Sequence, residues 1–364
     1  MLNIGIISYG IKVPKKRLLV DETVNVWKNT SLQLIKQSMN VKQRSVLDSD
    51  EDVITLATEA AKRCLENAEI NPEVLESLYL GTTTAPELFR SNSTVIMDML
   101  TSNGEYLNSD IQSAEKSGVS SLIMGYSNVK AEITSNSLII GADVFNKHIA
   151  PGDMRESYMG AGAAAIILGN KNVIATIEAI SSYNSNFPEQ IRPEDERFIR
   201  VVTQLHDEII QEGFIKHSIN SINQLLKKLD IKVDNFDYAV FQQFNGSNSF
   251  VLGNELGIPK SKIEPSIFAN NTGDTGAASP LIGLAKVLDK AKPGERILLC
   301  SYGHGVGADA ISLKVTNQIL NYQKNKIYSV DYELNNDLIN VNYSEAMKYE
   351  FKYVQPNVAF STFL

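Results

Sequence analysis

Glu115 lies in Ser109-Asp110-Ile111-Gln112-Ser113-Ala114-Glu115-Lys116-Ser117-Gly118, which runs on into Val119-Ser120-Ser121-Leu122-Ile123-Met124-Gly125. The order predicts a strand, a tight turn and the start of a buried helix. A carboxylate there is either a helix cap, favoured by unsatisfied N–H groups and the helix dipole, or a general base for decarboxylation, hydrolysis or deprotonation. Asp274, in Gly273-Asp274-Thr275-Gly276-Ala277-Ala278-Ser279, is a second acid in a turn; ionised, it accepts hydrogen bonds and donates none. If the two acids share one small pocket, repulsion and desolvation raise at least one pKa. Gln242 follows the apolar run Tyr238-Ala239-Val240-Phe241 and can donate to an oxyanion without shuttling a proton. Thr83, in Gly81-Thr82-Thr83-Thr84, has no acid function. His304, within Ser301-Tyr302-Gly303-His304-Gly305-Val306-Gly307-Ala308-Asp309, reads as a packing or surface histidine, or as a replacement acid.

These residues need a scaffold, and the chain alternates β-rich runs with amphipathic helices, the pattern of α/β layers around buried sheets. A first strand opens the chain, Asp21 to Lys28 starts with an acidic N-cap candidate, and Val53 to Ala68 is an amphipathic helix with Ile54, Ala57, Ala60, Ala61 and Cys64 on one face. Strands follow at Ser77 to Thr82, Ser137 to Gly141 and Ala163 to Leu168. The second half repeats the plan, with a strand from Ile174, a long helix over Leu205 to Leu229, a strand at Asp237 to Gln242, a helix at Ser279 to Ala291 and a strand at Arg296 to Ser301. Tyr322 to Leu364 predicts a helix and strand wrapping the body. Thr83-Thr84-Ala85-Pro86 begins at a strand's C-terminal end, where open α/β sheets place ligands.

Composition narrows the classes. The 364 residues carry a net charge of −8 without basic clusters, which argues against nucleic acid and an anionic membrane surface. Cys64 and Cys300 are far apart inside apolar patterns, so both are expected as buried thiols in a reducing cytoplasm. The N-terminus lacks the basic region and cleavage site of a signal peptide, and the longest apolar run, Ala161 to Leu168, falls short of the ~20 residues a membrane helix needs; the protein is expected to be soluble. Pro151-Gly152-Asp153 and Gly160-Ala161-Gly162 lack the Lys-Ser/Thr ending of a phosphate loop. His148, His206 and His217 show no metal-ligand spacing, and no metal is expected.

Six stretches in order carry a resemblance: Tyr79 to Thr82, Ser109 to Gly118, Ile139 to Asp143, Gly160 to Gly169, Gly273 to Pro280 and Ser301 to Asp309. The chain resembles the hydroxymethylglutaryl-CoA synthase and ketoacyl synthase III branch of the thiolase superfamily. The resemblance implies an α/β thiolase-like fold of two pseudo-duplicated halves in five layers (α-β-α-β-α), residues 1–170 and 171–320, with 321–364 packed on the same body. It places Glu115, Gln242, Asp274 and Thr83 at the family's Cys, His, Asn and Glu positions, with Gly303, His304 and Gly305 at the substrate-side floor. Claisen condensation needs a thiolate that takes an acyl group from CoA; Glu115 would give a water-sensitive mixed anhydride. Arg192 and Arg197 read as a solvated charged face or as partners of CoA phosphates.

This pattern is similar to the synthase-like subunit of bacterial complexes that acylate phloroglucinols. That likeness implies a non-catalytic or structural subunit, a homodimer, beside a thiolase-like acyltransferase subunit and a small OB-fold zinc-ribbon subunit. No cofactor is implied beyond CoA or acyl-CoA as substrate. The alternatives are a stand-alone acyl-CoA-dependent enzyme using Glu115, in condensation, decarboxylation or hydrolysis, and a module that binds CoA or an acyl chain.

Overall fold

The computed structural model describes residues 3–187, 189–202 and 210–353. In chain order its strands are β1 (Gly5–Lys12), β2 (Lys16–Leu19), β3 (Gln43–Val46), β4 (Ser77–Gly81), β5 (Leu107–Ile111), β6 (Asn136–Val144), β7 (Ala161–Gly169), β8 (Ala175–Asn184), β9 (Gln190–Ile191), β10 (Arg200–Val201), β11 (Tyr238–Phe241), β12 (Arg296–Gly303), β13 (Gly307–Val315) and β14 (Ile339–Val341). Nine join in the order β11-β12-β13-β8-β1-β7-β6-β4-β5. The seam between β1 and β8 is two residue pairs wide, Gly5 with Thr176 and Ile6 with Ala175. The sheet therefore has two wings, β1 with β4–β7 and β8 with β11–β13. In one wing β4 runs parallel to β5 and β6, and in the other β11 runs parallel to β12.

The helices are α1 (Val20–Trp27), α2 (Val53–Glu66), α3 (Asn92–Leu100), α4 (Ser117–Lys130), α5 (Lys216–Leu229), α6 (Asn248–Glu255), α7 (Lys260–Ile263), α8 (Ala269–Thr272), α9 (Ser279–Leu288), α10 (Gln318–Asn325), α11 (Val330–Asn335) and α12 (Tyr343–Tyr349). Their apolar faces divide the core into layers. Val119 and Leu122 of α4 and Leu281 and Ile282 of α9 share one cluster with Ile139, Val240 and Leu299 from both wings, so these two helices form the middle layer. On the outer face of the first wing, Ala57, Ala60, Ala61 and Cys64 of α2 meet Leu78, Ile140 and Ala165. Ile222 and Leu225 of α5 cover Phe241, Leu298 and Ala310 of the second. This gives the five layers expected of the fold, and it follows from wings whose strands are apolar on both faces.

Most boundaries fall within a few residues of those predicted. Asp52 closes the start of α2 in a capping box with Thr55. Asp21 is not an N-cap: α1 begins at Val20 behind Leu19, and Asp21 lies in its first turn. Of the long helix expected over 205–229, residues 203–209, with His206, lie outside the described residues; the rest is a π-helical stretch, Ile210–Ile215, followed by α5. Among the described residues no helix is long and apolar enough to cross a membrane.

The C-terminal segment is fastened by charge. The Arg44 guanidinium pairs with Glu350, and Lys352 Nζ lies 2.9 Å from both Glu350 and Glu156, with the Lys352, Glu350 and Glu156 side chains fully enclosed. Arg197 donates to the Glu350 and Phe351 carbonyl oxygens. Breaking such a pair strands a charge without water. Glu350→Ala, which leaves Arg44 unpaired, is expected to destabilise the protein by about 3–5 kcal/mol, read as a lower urea midpoint; an unchanged midpoint would show that this network contributes nothing.

Candidate functional site

Glu115 reaches the interior through a turn between β5 and α4. Ala114 has a left-handed backbone, φ 48°, a conformation costly for a residue with a Cβ. Ser117 holds it: its Oγ accepts from Ser113 N–H at 2.7 Å and donates to the Ala114 carbonyl at 2.6 Å. Lys116 anchors the same turn to the other wing, its Nζ 2.9 Å from Asp309 and 2.8 Å from Asn184. Glu115 is left 5% exposed. It does not cap α4, whose N-cap is Lys116 without a side-chain bond.

Its partner is His304. One Glu115 oxygen lies 2.7 Å from His304 Nδ1, and the other accepts the His304 backbone N–H at 2.9 Å. His304 sits in the turn joining β12 to β13, where Gly303 lets two turns touch: a Cβ there would stand 2.7 Å from the Ser113 carbonyl oxygen. Phe244 covers the imidazole, ring centroids 4.5 Å apart, and Tyr302 meets it edge-on. Burial alone would push the His304 pKa down and the Glu115 pKa up. Their mutual charge and hydrogen bonds reverse both, taking His304 up to about 9 and holding the Glu115 carboxyl below its ordinary value. The pair is thus an imidazolium–carboxylate at neutral pH.

Asp274 takes the opposite course. It is fully buried, and burial first, then the charge of Glu115, push its carboxyl well above the ordinary range. Of the two acids, Asp274 is the one whose carboxyl is pushed toward the protonated form, which has an O–H to donate. Asp274 Oδ1 accepts from Gly276 N–H at 2.8 Å, while Oδ2 has no partner among the described residues. Gln242 binds the same glycine, its Nε2 donating to the Gly276 carbonyl at 2.9 Å, and its Oε1 is likewise unpartnered. One of its two amide hydrogens is therefore already committed.

Thr83 is drawn elsewhere. Its N–H and hydroxyl both donate to Asp143 Oδ1, at 2.8 and 3.0 Å, beside the hydroxyls of Thr82 and Thr84. Asp143 Oδ2 accepts from Ala277 N–H at 2.8 Å. Gly276, φ 59°, packs so closely that any Cβ would stand 2.3 Å from that oxygen. Asp143, at the end of β6, thus ties the Thr82–Thr84 loop to the Asp274 turn. The sequence reading missed it, although an acid closing an apolar strand was the available signal. Glu189 was missed too: its buried carboxylate accepts from Gly305 N–H at 2.8 Å and from the Tyr302 hydroxyl, and nothing in its polar loop marks it out.

The remaining candidates separate. Arg192 donates to the Thr83 carbonyl at 3.0 Å, whereas Arg197 serves the C-terminal segment. His217 is buried against Tyr302, and His148 lies beside Arg197. Among the described residues no cluster of three or more His, Cys, Asp or Glu could hold a metal. Cys64 and Cys300, the chain's two cysteines, are buried and burial pushes both thiols up to about 12. A buried neutral thiol is a poor acyl acceptor.

Comparison with known proteins agrees with this architecture. Residues 226–315 match the family model for the 3-oxoacyl-[acyl-carrier-protein (ACP)] synthase III C terminal. The hydroxymethylglutaryl-CoA synthase of Archaeoglobus fulgidus is 35% identical over 321 residues, 88% of this chain and 92% of the relative. A 3-oxoacyl-[acyl-carrier-protein] synthase III structure from Aquifex aeolicus superposes with a TM-score of 0.78 at 26% identity, over 85% of this chain and 99% of that one. An HMG-CoA synthase complexed with CoA gives 0.86 at 17%, over 98% and 92%.

The charge pair makes a titration the direct check. A histidine whose folded pKa is raised contributes its full stabilisation below its unfolded value, 6.5, and loses it as pH rises through the folded value, about 9. The depressed Glu115 carboxyl contributes above its unfolded value, 4.5, and loses it as pH falls below. The pair is expected to stabilise most between these two unfolded values. By NMR, the His304 ring should titrate near 9 and fall toward 6.5 in Glu115→Gln; a wild-type midpoint near 6.5 would refute the pair.

Proposed function

Because the chain belongs to the hydroxymethylglutaryl-CoA synthase family yet carries a carboxylate where the resemblance places the acyl-accepting cysteine, we propose that it is a non-condensing member of that family. In this reading it works as a structural subunit of an acyltransferase complex. The observation that carries this is the Glu115–His304 pair. Both oxygens of the carboxylate are engaged, so the residue is neither a free nucleophile nor a free base. Acyl transfer then belongs to a thiolase-like partner subunit that supplies the thiolate, beside a small OB-fold zinc-ribbon subunit, with a phloroglucinol-type ring as the acceptor.

The same reading makes the chain a homodimer. β5 is the last strand of its wing, and Leu107 on it and Leu88 and Phe89 on the loop before α3 are exposed, Phe89 completely. An unpaired edge beside apolar side chains is suited to a second copy. A stand-alone enzyme using Glu115 would need that carboxylate released from His304, whose ring and backbone N–H groups engage both of its oxygens.

Two measurements test the proposal. Incubated alone with acetyl-CoA, the protein is expected to form no acyl adduct by mass spectrometry and to release CoA no faster in the wild type than in Glu115→Ala. Co-expressed with a thiolase-like subunit and the small OB-fold subunit, it should co-purify as a complex whose acetyl transfer needs all three chains and persists in Glu115→Gln. Turnover by the isolated chain that is abolished in Glu115→Ala would defeat the reading.

A further inference from the structure

Two asparagine–glycine pairs occur in the chain, Asn103-Gly104 and Asn245-Gly246. An asparagine followed by glycine can react with its own backbone: the amide nitrogen of the next residue attacks the side-chain carbonyl carbon, and glycine, lacking a Cβ, leaves that approach open. Locally the two pairs are alike. Asn103 Oδ1 accepts from Glu105 N–H at 3.0 Å, and Asn245 Oδ1 from Ser247 N–H at 2.8 Å. Each is a turn in which an N–H two residues on binds the side-chain oxygen, and that bond draws electrons away from the carbon to be attacked.

What differs is the attacking nitrogen. Gly246 is buried, its N–H donates to the Met39 carbonyl at 3.0 Å, and a Cβ on it would stand 2.3 Å from the Asn40 carbonyl oxygen. Its loop is tied further by Asn248 Oδ1, which accepts from the Phe244 and Asn245 N–H groups. Gly104 is exposed, its N–H has no partner among the described residues, and a Cβ there would meet nothing within 4 Å. The loop carrying it, between α3 and β5, is held on the Asn103 side alone: Asn103 Nδ2 donates to the Glu73 carbonyl at 3.1 Å, and Ser102 N–H donates to the Glu73 carboxylate at 3.1 Å. The side chain under attack is thus positioned, while the peptide group that follows it is free to turn onto it.

We infer that Asn103 is a site of spontaneous backbone modification in the folded protein, and that the fold withholds Asn245 from the same reaction. The Gly104 nitrogen bonds to Asn103 Cγ, its proton passes through water to Nδ2, and the Cγ–Nδ2 bond breaks to release ammonia. Water then opens the cyclic imide at either carbonyl, giving an aspartate or an isoaspartate, in which the main chain runs through the former side chain and is longer by one carbon. Overall one water is consumed and one ammonia released. Either product sets a carboxylate beside the Glu73 carbonyl in place of a donor, just ahead of β5, the edge strand of the sheet. The inference is independent of what Glu115 does.

The test incubates the full chain in mildly alkaline buffer, folded and in parallel in urea, and follows both peptides by mass spectrometry with fragmentation that separates aspartate from isoaspartate. In the folded protein Asn103 is expected to convert about tenfold faster than Asn245 or more, while in urea the two convert at comparable rates, because unfolding releases the Gly246 N–H. Gly104→Ala, exposed and with room for its Cβ, should slow conversion at Asn103 about tenfold without lowering the melting temperature. No conversion at Asn103 in the folded protein, or an unchanged rate in Gly104→Ala, would overturn the site. Equal rates at the two asparagines in the folded protein, or a difference that persists in urea, would overturn the protection of Asn245 by the fold.

Discussion

Burying a single carboxylate is what the site is built around. An ionised acid without water costs several kcal/mol unless a counter-charge and hydrogen bonds replace its hydration, and Glu115 obtains all of these from one residue. His304 supplies a ring N–H and a backbone N–H to the two oxygens, so the turn carrying it must approach the turn carrying Glu115 closely. Gly303 allows that approach, Phe244 roofs the imidazole, and Glu189 fixes the turn from the far side. Burial first and then the Glu115 charge push the Asp274 carboxyl well above its ordinary range.

Much of the architecture was legible because apolar periodicity reports burial. The face of α2 and the continuous apolar runs of β6 and β7 could belong to little else, and the replaced positions stood out once the six motifs lined up. What stayed hidden is contact between distant residues. Glu115 and His304 lie on different wings, and no local pattern distinguishes a histidine that neutralises an acid from one that merely packs. Like-charge repulsion predicted that one of two acids would be perturbed. Choosing Asp274 required knowing which of them had a cation beside it. Thr83 was placed at the family's Glu position by resemblance, and its attachment to Asp143 depends on how β4 and β6 end side by side.

Membership of a synthase family and a carboxylate at the position that the resemblance gives to the nucleophile are compatible, because a fold supplies geometry and a few side chains supply reactivity. The positions that differ here retain polarity and hydrogen bonding. Gln242 still reaches across to Gly276, and Asp274 still caps the turn that Gly276 closes. The Glu115–His304 pair ties the turn before α4 to the turn between β12 and β13.

The join between β1 and β8 has a mechanical meaning. With two residue pairs linking the wings, backbone hydrogen bonds do little to fix the angle between them, and the packing of α4 against α9 must set it. Each wing is a stiff plate and the join is an axle. Glu115 is mounted on one plate and His304 on the other, so their 2.7 Å contact spans the join as the 2.9 Å Lys116–Asp309 contact does, and a tilt of either plate would stretch both.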